Sequence, residues 1–311
     1  RAVLSGRMDR AEAEAVADLI DAETEGQRRQ ALRQLDGALS RQVAAWREEA
    51  IDCLAAAEAA LDFADEGDVD DAGLDAALFG RADALRQDIA KALQDGRRGE
   101  RLREGFFVVL AGEPNAGKST LLNALSRRDV AIVSDMPGTT RDAIEMRLDL
   151  GGLPVFLVDT AGLRDTAEPV EAEGIRRSRA RIGAADLILA LVPPHGTTPD
   201  LGASAIRTLT VHTKADLFAG SLEPLPAAAI AVSARTGAGL EALLDAIQAE
   251  AQAGLGTGDA LVTRARHRAA LEACITHLDR LLAGEGALPE LAAEDLRLAV
   301  RSLGEVAGHV G

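Results

Sequence analysis

A glycine-rich segment of eight residues constrains the fold of this chain most. Residues 112–119 read GEPNAGKS and fit the phosphate-loop pattern G-x-x-x-x-G-K-[ST]. The apolar run Phe106–Leu110 precedes the segment and predicts a buried strand, and Ser119–Ser126 is predicted to be a helix. Between a strand and a helix N-terminus, the glycines let successive backbone N–H groups surround a phosphate. The sequence therefore predicts a nucleotide-binding α/β domain.

Two side chains of this loop carry specific chemistry. Lys118 is expected to reach the β- and γ-phosphates, and the Ser119 hydroxyl is expected to bind Mg²⁺. The loop residues expected to contact the nucleotide are Asn115, Ala116, Gly117, Lys118, Ser119 and Thr120.

A second magnesium-binding element follows the apolar run Val155–Val158. Asp159 ends this run and is followed by Thr160-Ala161-Gly162. Asp159 is expected to hold Mg²⁺ through water, and the Gly162 N–H to sense the γ-phosphate. The polar segment Gly138–Asp142 lies between the phosphate loop and Asp159 and is suited to a switch loop. Within it, Thr140 is the expected second ligand of Mg²⁺.

The choice of base is assigned to a segment that follows a predicted strand, Thr208–His212. The segment is Thr213-Lys214-Ala215-Asp216, and an aspartate there can accept from both N1–H and N2–H₂ of guanine, which adenine does not offer. Ser233-Ala234-Arg235 is expected to add backbone contacts to the guanine oxygen. These elements favour GTP over ATP. Thr213 stands where guanine-binding proteins usually carry Asn, so we expect a somewhat looser base site.

The motifs name no single residue that orients the attacking water. Leu163 follows Gly162 directly, at the position where small signalling GTPases place a glutamine, and leucine cannot orient water. Glu171 and Glu173, at the start of a predicted helix, are the nearest acidic candidates. Acidic residues at a helix N-terminus also favour the helix dipole without any catalytic role.

The sequence on both sides of the α/β segment is helical. Apolar residues recur with a mean spacing of about 3.6 from Leu32 to Leu61, and the same periodicity returns from Leu271 to Leu282. Gly96-Arg97-Arg98-Gly99 is predicted to be a hinge after a second helical segment. The predicted fold is an α/β P-loop GTPase domain inserted into an all-α domain, with the GTPase domain at residues 104–253 and the helical domain at residues 1–103 and 254–311.

Composition excludes several classes of protein. The net charge of −16 and the seven aromatic residues argue against a chain that grips nucleic acid over its whole surface. The two cysteines, Cys53 and Cys274, are expected in the core. Because two cysteines cannot form a disulfide framework, they favour a reducing compartment, the cytoplasm. No apolar run suits a membrane span. The Arg-rich pieces Arg176–Arg181 and Arg264–Arg268 are interpreted as solvated helix faces. The chain begins at Arg1 and is interpreted as a fragment.

The ordered motifs resemble the tRNA-modification GTPase family called TrmE or MnmE, over nearly all of the chain. The segments that carry the resemblance are Arg1–Asp21, the phosphate loop with Pro114-Asn115, Ala131–Asp135, Gly138–Asp142, Asp159–Arg164, Ser233–Gly237 and Ala293–Leu298. The resemblance implies GTP hydrolysis that depends on potassium and on the pairing of two GTPase domains.

The resemblance also implies roles for individual residues. Asn115 would give a side-chain oxygen to K⁺. Ser134 and Met136 would add backbone carbonyls, and Thr139 would be a further ligand. Glu171 matches the glutamate that positions water in the family. The switch-loop residues that would contact the nucleotide are Ser134, Asp135, Met136, Pro137, Gly138, Thr139 and Thr140.

The implied biological role is modification of the wobble uridine of tRNA. The family works with the flavoprotein MnmG (GidA) and takes a one-carbon unit from folate, and Arg7 falls where the family has a basic residue near the folate site. The family's N-terminal folate-binding, dimerising domain and its C-terminal cysteine-containing tail are expected to lie outside this chain. Two alternatives stay open: a non-enzymatic GTP-dependent switch in ribosome or ribonucleoprotein assembly, and a degenerate nucleotide-binding scaffold.

Overall fold

The structure is a computed structural model that describes residues 8–65, 76–132, 146–159, 185–201, 205–217, 229–255, 260–284 and 289–308. The chain divides into two compact units. A helical unit draws on residues 1–22, 27–103 and 257–311, and an α/β unit on residues 23–26 and 104–256. The predicted insertion of an α/β domain into an all-α domain is confirmed.

Helices and strands follow the predicted order within the described residues. The helices are α1 (Arg10–Asp21), α2 (Glu25–Leu35), α3 (Ala38–Asp65), α4 (Ala76–Glu104), α5 (Lys118–Leu125), α6 (Leu240–Leu255), α7 (Ala265–Ala283) and α8 (Pro289–Ala307). The strands are β1 (Phe106–Ala111), β2 (Met146–Leu150), β3 (Leu153–Asp159), β4 (Leu187–Val192), β5 (Thr208–His212) and β6 (Ile230–Ala231).

The helical unit buries the apolar stripe of α3. Helix α8 packs against both α3 and α7. The buried residues of this core include Leu39, Val43, Trp46, Ala50, Ala57, Leu85, Ile89, Leu271, Leu278, Leu296 and Leu303. Cys53 and Cys274 are fully buried in the same core, as predicted, and burial raises the pKa of the Cys274 thiol to about 12. Leu32 is an exception to the stripe: it is 37% exposed, because α2 ends at Leu35 and the chain turns at Gly37 with φ of +75°.

The predicted hinge at residues 96–99 is wrong. Helix α4 continues without a break through both glycines, which are buried. A Cβ at Gly96 would lie 2.8 Å from Val262 Cβ, and a Cβ at Gly99 would lie 2.4 Å from the Val262 carbonyl oxygen. The two glycines therefore let the segment before α7 approach the helix backbone closely.

The interpretation of Arg264–Arg268 as a solvated face is also wrong. Arg266 donates from Nε and Nη2 to the Glu14 carboxylate at 2.8 Å each. Arg264 Nη2 donates to Asp18 Oδ1 at 2.6 Å, and Arg268 Nε donates to Glu100 Oε1 at 3.1 Å. The three arginines are instead structural ion-pair partners within the helical unit.

The α/β unit contains a six-stranded sheet in the order β2-β3-β1-β4-β5-β6. Strand β2 pairs with β3 in an antiparallel hairpin through a turn at Gly151 and Gly152, in which both residues have positive φ. The other pairings between these strands are parallel. Strand β1 lies between β3 and β4, so the chain reverses its direction of travel across the sheet beside β1. Ligands of doubly wound sheets bind at such a switch point.

Among the described residues, every helix is either too short or too polar to span a lipid bilayer.

Candidate nucleotide-binding site

The parallel strands bring the predicted motifs to one edge of the sheet. Leu110 of β1 is in register with Asp159 of β3, so the phosphate loop and Asp159 follow neighbouring strand ends. Strand β4 separates β1 from β5, and β6 flanks β5 on its other side. Because the carboxyl ends of parallel strands meet at one edge, the segments that follow β1, β3, β5 and β6 lie at the same edge.

The backbone of the phosphate loop has the conformation that anion binding needs. Asn115 has φ of +66° and Gly117 has φ of +96°, and both conformations are left-handed. Gly117 is the N-cap of α5 and makes no side-chain hydrogen bond to the first turn of the helix. An anion can therefore take the place of the capping side chain at the positive end of the helix dipole.

Lys118 is held beneath this loop. Its ammonium donates to the carbonyl of Gly112 at 2.7 Å and to that of Glu113 at 3.2 Å, and the residue is 7% exposed. The Glu113 side chain accepts from the Thr197 hydroxyl at 2.8 Å, which ties the loop to the segment after β4. The charge that is predicted to meet the β- and γ-phosphates is thus fixed at the loop.

Two of the oxygen donors expected for Mg²⁺, on Ser119 and Asp159, lie at the same edge. Ser119 is exposed in the first turn of α5, and Asp159 is 4% exposed at the end of β3. Mg²⁺ prefers few protein oxygens and keeps several waters and phosphate oxygens as ligands. This small donor set fits Mg²⁺. The described residues contain no cluster of three or more His, Cys, Asp or Glu that could hold a metal ion.

Asp216 lies in the segment after β5, and each of its carboxylate oxygens accepts a hydrogen bond from a neighbouring side chain. Ser233 Oγ donates to Asp216 Oδ1 at 2.6 Å, and Arg235 Nε donates to Oδ2 at 2.9 Å. The Ser233 hydrogen bond is the main cause that lowers the pKa of Asp216; desolvation opposes it, and the hydrogen bond and charge of Arg235 add to the lowering. The carboxylate therefore stays ionised and acts only as an acceptor, which suits the two donors on guanine.

The side chains of Ser233 and Arg235 have a role that the sequence analysis missed. Only backbone contacts to the base were predicted for residues 233–235, whereas two of their side chains hold Asp216. The link to the chain after β6 also includes the backbone, because Ala215 N–H donates to the Val232 carbonyl at 3.0 Å. The sequence contains no local signal for contacts that join separate strand ends.

Thr213 lies at the inner end of the same segment and contacts the phosphate loop. It is 3% exposed, and its hydroxyl donates to the Ala116 carbonyl at 2.6 Å. Lys214 follows with φ of +55°. The structure thus brings together the phosphate loop, Asp159, residues 213–216 and residues 233–235.

The remaining predicted site residues lie outside the described residues. They are Arg7, Ser134, Asp135, Met136, Pro137, Gly138, Thr139, Thr140, Thr160, Ala161, Gly162, Glu171 and the alternative acid Glu173.

Comparison with known proteins gives matches along the whole chain. The family model described as the MnmE helical domain matches residues 11–311. The tRNA modification GTPase MnmE of Methylobacterium radiotolerans is 79% identical over 311 residues, which are 100% of this chain and 70% of that protein. The protein of the same name from Methylorubrum populi is 69% identical over 312 residues, with the same coverage. Among solved structures, the FeoB G domain from Methanococcus jannaschii is similar over 48% of this chain and 98% of its own, at 21% identity and a TM-score of 0.36.

Proposed function

The chain belongs to the MnmE family of tRNA modification GTPases, and from this we propose that its α/β unit hydrolyses GTP in a reaction that K⁺ and the pairing of two copies activate. The observation that carries the proposal is the shared sheet edge. There, Lys118 is fixed under a phosphate loop and Asp216 is held as an ionised acceptor. Asp216 would accept from N1–H and N2–H₂ of guanine, with residues 233–235 beside it.

Phosphate binding falls to the loop and its helix. The backbone amides around Asn115–Gly117 and the Lys118 ammonium would bind the β- and γ-phosphates. Ser119 and Thr140 would hold Mg²⁺, with Asp159 acting through water. Mg²⁺, when bound, neutralises charge on the phosphate oxygens. Asp135, Pro137, Gly138, Thr160, Ala161 and Gly162 complete the proposed nucleotide contacts.

Water attack would be directed by Glu171, since Leu163 carries no polar group. An ionised glutamate can accept a hydrogen bond from the attacking water and hold it in line with the γ-phosphate.

The K⁺ requirement would come from the tip of the phosphate loop. Asn115 is exposed there, and its amide oxygen is a hard donor of the kind that alkali cations accept. Ser134, Met136 and Thr139 would complete the ligand set. K⁺, when bound, offsets the negative charge that develops between the β- and γ-phosphates, as an arginine finger does in other GTPases. A ligand set that the switch loop completes only against a second copy would couple hydrolysis to pairing.

The wider role would be modification of the wobble uridine of tRNA, carried out in the cytoplasm together with the flavoprotein MnmG and a folate one-carbon donor. Arg7 is the proposed contact to folate. The proposed domain limits are residues 104–253 for the GTPase domain and residues 1–103 and 254–311 for the helical domain.

The decisive experiment measures the rate of GTP hydrolysis against protein concentration in KCl and in NaCl at equal ionic strength. The rate per molecule is expected to rise with concentration in KCl and to stay low in NaCl. Asn115→Gly is the matched variant, because glycine keeps the left-handed backbone and removes the side chain that carries the amide oxygen. It should bring the KCl rate down to the NaCl rate.

Three results would contradict this proposal. Equal rates in the two salts would remove the role assigned to K⁺ and Asn115. A rate per molecule that does not change with concentration would remove the pairing, and no hydrolysis at any concentration would favour a binding switch.

A further inference from the structure

Thr213 uses its side chain within the protein. Its Oγ1 donates to the Ala116 carbonyl of the phosphate loop at 2.6 Å, and this hydrogen bond is buried. Gly117, the next residue of the loop, is also close to Thr213, because a Cβ at Gly117 would lie 3.8 Å from Thr213 Oγ1. The hydroxyl therefore connects the segment that reads the base to the loop that binds the phosphates.

Thr213 has two hydrogen-bond donors, its hydroxyl and its backbone N–H, and both donate within the protein. A threonine hydroxyl has one proton to donate, and here Ala116 accepts it. The backbone N–H of Thr213 donates to the Val192 carbonyl at 3.0 Å. Neither donor is available to a bound base unless an internal hydrogen bond breaks.

Thr213 lies between Asp216 and the phosphate loop, because it precedes Asp216 by three residues and its hydroxyl contacts Ala116. The five-membered ring of guanine carries N9, which leads to the ribose and phosphates, and it also carries N7. A guanine whose six-membered ring were bound at Asp216 would therefore direct its five-membered ring toward the phosphate loop and Thr213. N7 is an acceptor and can be read only by a donor.

We propose that Thr213 positions the phosphate loop and leaves N7 of guanine unread, so that guanine is selected without any contribution from N7. This inference rests on the proposed GTP binding by the α/β unit and names the part of the base that the site ignores. Nucleotides of 7-deazaguanine, in which a C–H group replaces N7, are therefore accepted as well as guanine nucleotides.

The test compares the dissociation constants of GDP, 7-deaza-GDP and ADP for the full chain by isothermal titration calorimetry. The constants for GDP and 7-deaza-GDP are expected to agree within about twofold, because no donor loses a partner. A dissociation constant about fivefold or more weaker for 7-deaza-GDP would show that N7 is read and would overturn the inference.

Substitutions at Thr213 distinguish its positioning of the phosphate loop from hydrogen bonding to N7 of the base. Thr213→Asn supplies two N–H donors, one for Ala116 and one for N7. It should acquire a preference of about fivefold for GDP over 7-deaza-GDP. Thr213→Val removes the hydroxyl and should weaken both nucleotides equally, whereas Thr213→Ser should restore both.

Each of the remaining outcomes would contradict one named part of the proposal. A T213N protein that binds GDP without a new preference would contradict the placement of residue 213 beside N7. Wild-type affinity in T213V would contradict the positioning role. Wild-type protein that binds neither GDP nor 7-deaza-GDP, or that binds ADP equally well, would contradict the proposed function itself. If T213N does not fold, as judged by its thermal unfolding, the wild-type comparison still decides the inference.

Discussion

At the scale of single residues, Asp216 shows what a motif can and cannot predict. Its position after a strand was enough to predict a base-reading acceptor. The two side chains that orient it, Ser233 and Arg235, come from the end of another strand. Thr213 is a similar case, since its hydroxyl bonds to Ala116, which is distant in sequence. Such contacts depend on the order of the strands, which local sequence does not contain.

Asp216→Asn tests the base-reading role. An amide side chain has one oxygen acceptor and so cannot accept well from both N1–H and N2–H₂ of guanine, whereas its N–H₂ can donate to the 2-oxo group of xanthine. GTP affinity should fall about 10- to 100-fold, because a hydrogen bond to a charged group is lost. Xanthosine triphosphate should bind better than GTP, as measured by competition with labelled nucleotide.

Ser233→Ala is the control for this substitution. It removes one hydrogen bond to Asp216 Oδ1 and leaves the carboxylate in place. Its affinity for GTP should fall less, and guanine should stay preferred over xanthine. An unchanged base preference in D216N would refute the role assigned to Asp216.

At the scale of elements, short apolar runs between polar residues predicted the strands well. Strand β5 has the predicted bounds, Thr208–His212, and β1 extends the predicted Phe106–Leu110 by one residue, because apolar and β-branched runs favour strands. The glycines of α4 led to a wrong prediction of a hinge at residues 96–99. Glycine near arginine is typical of a hinge when read locally, but Gly99 is needed because the Val262 carbonyl lies against it.

Two glycine-to-alanine changes in α4 separate these effects. Gly80 has no atom within 4 Å of an added Cβ, so Gly80→Ala should raise the free energy of unfolding by about 0.5–1 kcal/mol through helix propensity. Gly99→Ala should lower it by about 1–3 kcal/mol, because its Cβ would clash with backbone. Urea denaturation followed by circular dichroism measures both. Equal stabilisation by the two changes would show that Gly99 is not a contact site.

At the scale of the whole molecule, an ion cluster joins distant parts of the chain within the helical unit. Glu14 of α1 binds Arg266 of α7, and His267 Nε2 lies 3.3 Å from Glu14 Oε2. Burial lowers the pKa of His267 to about 4, with help from the charges of Arg266 and Arg264, and the Glu14 carboxylate opposes the shift. Burial also opposes ionisation of Glu14, but Arg266 and Arg264 outweigh it and lower the pKa of Glu14.

This arrangement predicts an acid sensitivity of the helical unit. Between the unfolded-state pKa of 6.5 and the folded-state pKa of about 4, the unfolded chain binds the His267 proton and the folded chain does not. Stability should therefore fall as the pH falls through this range. From pH 7 to pH 5, wild-type protein should lose about 1–2 kcal/mol more unfolding free energy than His267→Gln does. Urea titrations at both pH values measure the difference, and equal losses would show that His267 does not contribute.

The packing of α8 against α3 has a consequence for biosynthesis. A ribosome makes α3 before residues 104–256 of the α/β unit and α8 after them. The nascent α/β unit has nearly all of its own strands and helices as soon as it emerges. Helix α3, by contrast, must wait until α8 is made before the part of its apolar stripe that packs against α8 is covered, which makes this helix the segment that a chaperone would be expected to hold.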